Sequence, residues 1–304
     1  MTAYLARRTL QAIAVVVLVT LIVFVLLSLA PGGASVQVLG SGSAHQQFLA
    51  AYLTWLGRVL HGNLGYSSRL NQSVSSLLAT SLPRTLALTG TSTLIALIVA
   101  IPLALVQAAR RNSAVDITLR GLTYLWYGTP TVVLGPVLIL FLAVHWHLFG
   151  AEGPQAPGFI GVISDVRDMT LPVATLALVT IAIFARYLRS SALDSLAQEY
   201  VEAARARGAG QRRVLAAHVL RNSLVPVVTL IGLSIPQILG GAVIVEIVFN
   251  IQGMGWQIYQ AVQDRDFAVT LGFTLVIGIG AAIGSLLADI GYAALDPKVR
   301  YTQA

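Results

Sequence analysis

Cysteine is absent from the 304 residues. Disulfide staples, thiolate metal sites and cysteine nucleophiles are therefore excluded. Charge is scarce: Asp, Glu, Lys and Arg make up 10% of the chain, against about a quarter in ordinary soluble domains. Lysine occurs once, as Lys298. No G-x-x-x-x-G-K-[ST] phosphate loop is present, so the chain is not expected to hydrolyse ATP. The histidines, His45, His61, His145, His147 and His218, form no H-E-x-x-H pair. His145 and His147 stand two apart at the end of an apolar run, an interfacial place rather than a metal site. Gly232-Leu233-Ser234 lacks the trailing Gly of a nucleophile elbow. These absences weigh against a membrane-embedded hydrolase, and no cofactor or metal is expected on the chain.

What is abundant is apolar sequence, 56% of the residues. Apolar runs at 10–30, 85–109, 119–146, 171–193, 224–248 and 269–295 are each about as long as a bilayer-spanning helix, which needs ~20 residues. They lack strict alternation. The expected fold is therefore an all-α membrane protein of six transmembrane helices rather than a barrel. The first run follows Arg7 and Arg8 but is longer than the ~7–15 residues of a signal-peptide core, and Pro31 sits where cleavage after Ala30 would fall. It is expected to be a retained anchor.

The net charge of +7 is explained by where the charges lie. Fourteen of the nineteen Lys and Arg residues fall before the first run, between runs two and three, between runs four and five, or after run six. The opposite segments hold only Arg58, Arg69, Arg84, Arg167 and Arg265. Positive charge collects in cytoplasmic loops, so both termini are expected in the cytoplasm and no nucleic-acid partner is implied.

Residues 1–304 are expected to form one transmembrane domain, with an external segment at 31–84. There Phe48, Tyr52, Trp55, Leu56 and Val59 recur at helical spacing. A second short helix is expected from about Asn71, with Val74, Leu77, Leu78 and Leu82 on one face. Both helices either cover the outer end of the bundle or offer a docking platform. Residues 146–170 and 249–268 form two further external loops. Pro102, Pro130, Pro136, Pro226 and Pro236 interrupt the runs, and each removes a backbone donor. Around Pro236, Ser234 and Gln237 either line a path or serve packing. Gly280 and Gly284 make a small-xxx-small spacing that suits helix packing.

The most polar segment inside the apolar region is 194–222. Ser195 and Gln198 match a capping box. Glu199 and Glu202 occupy the early turns of the expected helix, where negative charge is favoured. Arg205 and Arg207 occupy its last turn, and Gly208 stands where a left-handed cap is expected. Glu202 and Arg205 are spaced to pair weakly. Ala203, Ala204 and Ala206 make the helix slim enough to enter a groove on another protein. A merely solvated loop accounts for the arginines but not for this capped, alanine-rich helix.

EYVEAARARG followed by RRVLAAHVLRNSLVPVVT resembles the EAA loop of ABC importer permease subunits, in the form of the dipeptide/oligopeptide branch. Further matches run along nearly the whole chain: the APG ending of the first run, GNLGYSS, LPRTLALT, GGAVIVEIVFNIQGMGWQIYQAVQDRDFAVTLG and ALDPKVR. Glu199 and Asn63 stand where the family usually has Asp, and Gln252 where it has Pro. The resemblance implies a type I ABC importer permease fold in the bacterial cytoplasmic membrane. It implies a second homologous permease subunit, two cytoplasmic ATPase subunits that hold ATP and Mg, and an extracytoplasmic solute-binding protein. Glu199, Tyr200, Val201, Glu202, Ala203, Ala204, Arg205, Arg207 and Gly208 would contact an ATPase subunit, and Ser234, Pro236 and Gln237 are candidates for the pathway. Peptides are the expected solute; nickel complexes, haem and glutathione are carried by other members. An ion-coupled secondary transporter is the rival, but such proteins carry ionisable groups deep in their spans. Here Asp116, Asp194 and Asp289 lie near the cytoplasmic ends of the runs and Glu246 near an external end.

Overall fold

In a computed structural model the apolar runs become helices. The structure describes residues 2–29, 44–224, 227, 230–232, 234–235, 238 and 243–295. The long helices are α1 (Thr2–Leu29), α2 (Ala44–Leu60), α3 (Val74–Ala109), α4 (Ala114–Gly128), α5 (Thr131–Leu138), α6 (Val166–Leu196), α7 (Glu199–Ala206), α8 (Val243–Val248), α9 (Met254–Gln263) and α10 (Phe267–Leu295), with shorter turns between them. A two-stranded antiparallel hairpin, Tyr66–Ser67 with Gln72–Ser73, precedes α3.

Four helical segments are long and apolar enough to cross a membrane: Arg7–Leu29, Val74–Ala109, Val166–Leu196 and Phe267–Ala288. The run expected as one span at 119–146 is broken. α4 meets Thr131–His145 at 103°, and the cause is Pro130. The residue before a proline is driven out of the helical region, and Thr129 has φ −90°, ψ 114°. Pro130 caps α5 and Pro136 lies inside it; a widened π-type turn, Ile139–His145, follows. The fifth expected span, 224–248, is described only in part, and Pro226 and Pro236 lie outside the described residues.

The run expected to begin at 85 instead begins at Val74. α3 is one helix of 36 residues, so the separate short helix expected from Asn71 is its first turns. Ser73, not Asn71, is the N-cap, and its side chain accepts from the Ser76 N–H. Pro102 is accommodated without a break. α3 and α6 form the centre. Ala96, Ala100 and Ala104 of α3, spaced by one turn, meet Ala177, Ile181, Phe184, Ala185 and Leu188 of α6. Small residues at that spacing let two helices approach closely without the aid of water exclusion.

α1 lies along α10, and Arg8 Nη2 donates to Ser285 Oγ at 2.8 Å. α2 covers this pair. Tyr52 and Trp55 are buried with Phe24, Leu271 and Leu275, and the Tyr52 hydroxyl lies 2.9 Å from Thr20 Oγ1. The aromatic face of α2 is thus spent on the bundle rather than on docking; the side chain of Phe48 lies outside the description. Gly284 makes a close approach: a Cβ there would stand 2.5 Å from Ile235 Cβ.

Candidate coupling site and translocation wall

The acidic and alanine-rich segment forms α7 of eight residues, Glu199–Ala206. Its start differs from the expected capping box. Ser195 is buried in the last turns of α6, whose apolar period continues through Leu196, and Gln198 is the N-cap without a side-chain cap bond. Gln198 Nε2 instead donates back to the Asp194 carbonyl at 3.3 Å. The end is as expected. Gly208 has φ +83°, the Gly208 N–H donates to the Arg205 carbonyl at 2.9 Å, and the Ala209 N–H to that of Ala204 at 3.1 Å. This 6→1 and 5→2 pair is a Schellman cap.

The faces of α7 are now distinguishable. Val201 is fully buried and Ala204 nearly so, against Ala108 at the end of α3, Ala192 of α6, and Val214 and Val219 of the following segment. Ala204 therefore packs on its own chain and does not offer itself to a partner's groove. Glu199, Tyr200, Glu202, Arg205, Ala206, Arg207 and Gly208 are exposed, and Ala203 is half-buried. Tyr200 accepts a hydrogen bond from Asn222 Nδ2 at 2.8 Å. Among the described residues no ion pair joins Glu202 to Arg205, and both side chains are exposed.

A second feature is a cavity of about 350 Å³ between α3, α5, α6, α8 and the residues before α8. Ser234 lines it, together with Thr89, Ser92, Thr93, Thr131 and Thr180. Pro236 and Gln237 lie outside the described residues. Three of these hydroxyls are satisfied by the preceding turn: Ser234 Oγ donates to the Leu230 carbonyl at 2.7 Å, Thr93 to Thr89 at 2.7 Å and Thr180 to Leu176 at 2.8 Å. Among the described residues the wall is mildly polar and uncharged. The sequence signal for it is hydroxyl residues at Thr89, Ser92 and Thr93, spaced by about one turn within an apolar run.

Glu246 of α8, placed by the sequence near the end of a run, is fully buried. Thr85 Oγ1 donates to its Oε1 at 2.7 Å, and the Trp256 N–H donates to its Oε2 at 2.8 Å. The Met254 N–H closes the ring by donating to Thr85 Oγ1 at 2.7 Å. The carboxylate thus sits on the N-terminus of α9, where free N–H groups and the helix dipole favour an anion, and ties α9 to α3. Gly253 and Gly255 permit this approach. A Cβ at Gly253 would lie 2.5 Å from both the carboxylate and the Thr85 hydroxyl.

Two of the three departures from the family pattern, Asn63 and Gln252, have local contacts. Asn63 Oδ1 accepts from the Gly65 N–H at 2.9 Å, a turn that an aspartate forms equally well. Gln252 lies beside Arg84, whose Nη1 is 3.4 Å from both the Gln252 carbonyl and its side-chain oxygen.

Comparison with known proteins settles the relationship. Residues 100–301 match the family model described as the binding-protein-dependent transport system inner membrane component. The chain belongs to this permease family. It is 34% identical to the oligopeptide transport system permease protein AppB of Bacillus subtilis, over 99% of this chain and 100% of that protein. It is 35% identical to a putative peptide permease protein of Brucella suis, over 99% of this chain and 100% of the relative. The inward-facing MetNI methionine ABC transporter has a chain of similar fold, with a TM-score of 0.58 over 73% of this chain and 97% of that one, at 19% identity.

Proposed function

We propose that this chain is one of two permease subunits of an ATP-driven importer for peptides in a bacterial cytoplasmic membrane. Its six spans would place both termini in the cytoplasm. The second permease would complete the pathway, two ATPase subunits carrying ATP and Mg would dock on α7 and its counterpart, and an external binding protein would deliver the solute. The full-length likeness to a permease named for oligopeptide transport carries this reading most directly.

The build of α7 supports the coupling role. The helix is short, capped at its end without outside help, and seated on the ends of α3 and α6 by Val201 and Ala204. Force on its outer face therefore reaches the two central helices. The outer face, Glu199, Glu202, Ala203, Arg205 and Ala206, is the surface for an ATPase groove; Arg207 and Gly208 form its trailing edge, and Tyr200 braces it against Asn222. The hydroxyl wall at Ser234, Thr93 and Thr180 suits a solute that is passed on rather than held, because none of its described groups is charged.

The test is Ala206→Trp, which enlarges the outer face without touching the seat. Membrane insertion should persist, while peptide uptake and ATPase co-purification fall at least about tenfold by overpacking of the partner contact. Wild-type uptake and co-purification in this variant would show that α7 does not enter a partner.

A further inference from the structure

A cavity of about 440 Å³ lies between α3, α4 and α6, at the end of the bundle that carries α7. It is separate from the hydroxyl wall and from the exposed face of α7. Arg111, Arg120, Arg186 and Arg189 line it, with the buried Gln107. Behind them Asp116 is wholly buried. It takes a two-point contact from Arg189, Nε at 3.1 Å and Nη2 at 3.0 Å. Arg120 comes within 3.3 Å, close enough for charge attraction but without hydrogen-bond alignment.

Asp116 thus engages two of the four arginines. Among the described residues Arg111 and Arg186 have no acidic partner. Arg186 is oriented by the ring of Tyr127, 4.7 Å beneath its guanidinium. The only other acid on the lining among the described residues is the exposed Asp194, so the cavity keeps an excess of positive charge. The second observation is independent of charge. Gln107 is 2% exposed and its Nε2 has no hydrogen-bond partner. A buried donor left unmade is costly, and this one stands at the edge of a cationic cavity.

We propose that this cavity binds a phosphate oxyanion, supplied in the membrane by the headgroup of an anionic phospholipid. Guanidinium forks and an amide donor converging from three helices match the several acceptor oxygens of a phosphate better than the two of a carboxylate. The exposed Tyr124 and Tyr127 flank the cavity, and such rings favour the headgroup level. With α7 in the cytoplasm, as the proposed function has it, the cavity opens at the inner leaflet, where basic pockets between spans take anionic headgroups. The occupant would bridge α3 and α6, the same two helices that seat α7.

The experiment uses the purified full-length chain and reads bound lipid by native mass spectrometry, so it does not depend on transport. Dioleoyl phosphatidylglycerol should be retained over dioleoyl phosphatidylcholine. Arg186→Gln and Gln107→Leu should each lower that retention roughly five- to tenfold, while Arg213→Gln, an exposed arginine at the same end, should not. Gln107→Leu fills the same volume without the orphan donor, so misfolding is not an escape. Inorganic phosphate that displaces the lipid would support the site as open to free phosphate. Lipid loss on Arg186→Gln without such displacement would support the lipid as sole source. Equal retention of both lipids, unchanged retention in Arg186→Gln and Gln107→Leu, or displacement by a dicarboxylate at concentrations where phosphate is inert would each overturn the proposal.

Discussion

Gly253→Ala separates sterics from backbone preference. Gly253 has φ −86°, ψ −169°, ordinary extended backbone open to any residue. A methyl group there carries no conformational penalty. It would, however, stand 2.5 Å from Glu246 Oε1 and Thr85 Oγ1. Overpacking alone costs about 1–3 kcal/mol. The atoms that must yield also hold the Thr85–Glu246, Met254–Thr85 and Trp256–Glu246 hydrogen bonds, and a buried group left unmade adds about 1–3 kcal/mol. A loss of about 3 kcal/mol should lower the thermal midpoint by roughly 6–12 °C for a chain of this size. The assay is intrinsic tryptophan fluorescence of the purified chain at one fixed scan rate, because unfolding of such proteins is often irreversible. The decisive comparison is the cycle with Glu246→Ala. That change alone should be comparably costly, but it removes one of the two groups the new methyl would strike and frees the Thr85 hydroxyl, the other, to turn aside. The two penalties should then fall short of additivity by at least about 1.5 kcal/mol. Additive effects, or a wild-type midpoint for Gly253→Ala, would refute the ring of contacts around the carboxylate.

The contrasting glycine is Gly208, which has open space around its Cβ position but φ +83°. Gly208→Val should destabilise the turn after α7 by about 1–2 kcal/mol or more through backbone strain, and Gly208→Asn should restore most of it; equal uptake by both variants would remove the left-handed cap from the argument. Arg189→Ala should cost about 3–5 kcal/mol because it strands the buried Asp116, whereas Arg120→Ala, a contact without hydrogen-bond alignment, should cost less; the thermal midpoints of the two variants decide this. Orientation is testable with single cysteines, since none is native. Ser68→Cys, exposed in the hairpin loop beside the buried Ser67, should label from outside, and Gln211→Cys only after permeabilisation; the reverse pattern would invert the topology.

The C-terminal end of α7 was readable because capping is local, whereas its start was not, since the apolar period of α6 runs on through Ser195 and Leu196. The cap needs only the φ of Gly208 and the N–H groups of Gly208 and Ala209, all within a few residues. The inward face of α7 was not readable. In EYVEAARA alanine occurs on every side, so no apolar contrast marks Ala204 as inward and Ala206 as outward; the choice is made by Ala108 and Ala192 on other helices. The start of α3 was misplaced for a related reason. Ser75, Ser76, Thr80, Ser81 and Arg84 set the short helix expected from Asn71 apart from the apolar run at 85, yet Ser81 and Thr80 satisfy their hydroxyls on the preceding turn, 2.7 Å and 2.9 Å from the Leu77 carbonyl, and the helix runs on. The break at Pro130 was legible as a residue but its 103° angle was not. The Glu246 ring was hidden altogether, since its Thr85 partner is 161 residues away.

The arrangement constrains how the two ends of the molecule communicate. α3 is a single helix of 36 residues, about 54 Å long at 1.5 Å per residue. Near its start Thr85 is bound into the Glu246 ring, and near its end Ala108 seats α7. Along its middle the alanine stripe is packed against α6. Close-packed interiors of this kind transmit strain rather than absorb it. A displacement of α7 that keeps Val201 and Ala204 in place must therefore carry the ends of α3 and α6 with it, and through Thr85 it loads α9 at the far end. The compliant point lies elsewhere: between α4 and α5 only Thr129 and Pro130 stand outside helix, and the chain already bends there. Motion of α3 and α6 as one body against that elbow keeps their shared stripe closed and shifts instead the contacts that α4 and α5 make with α6, whereas bending α3 would break the stripe turn by turn.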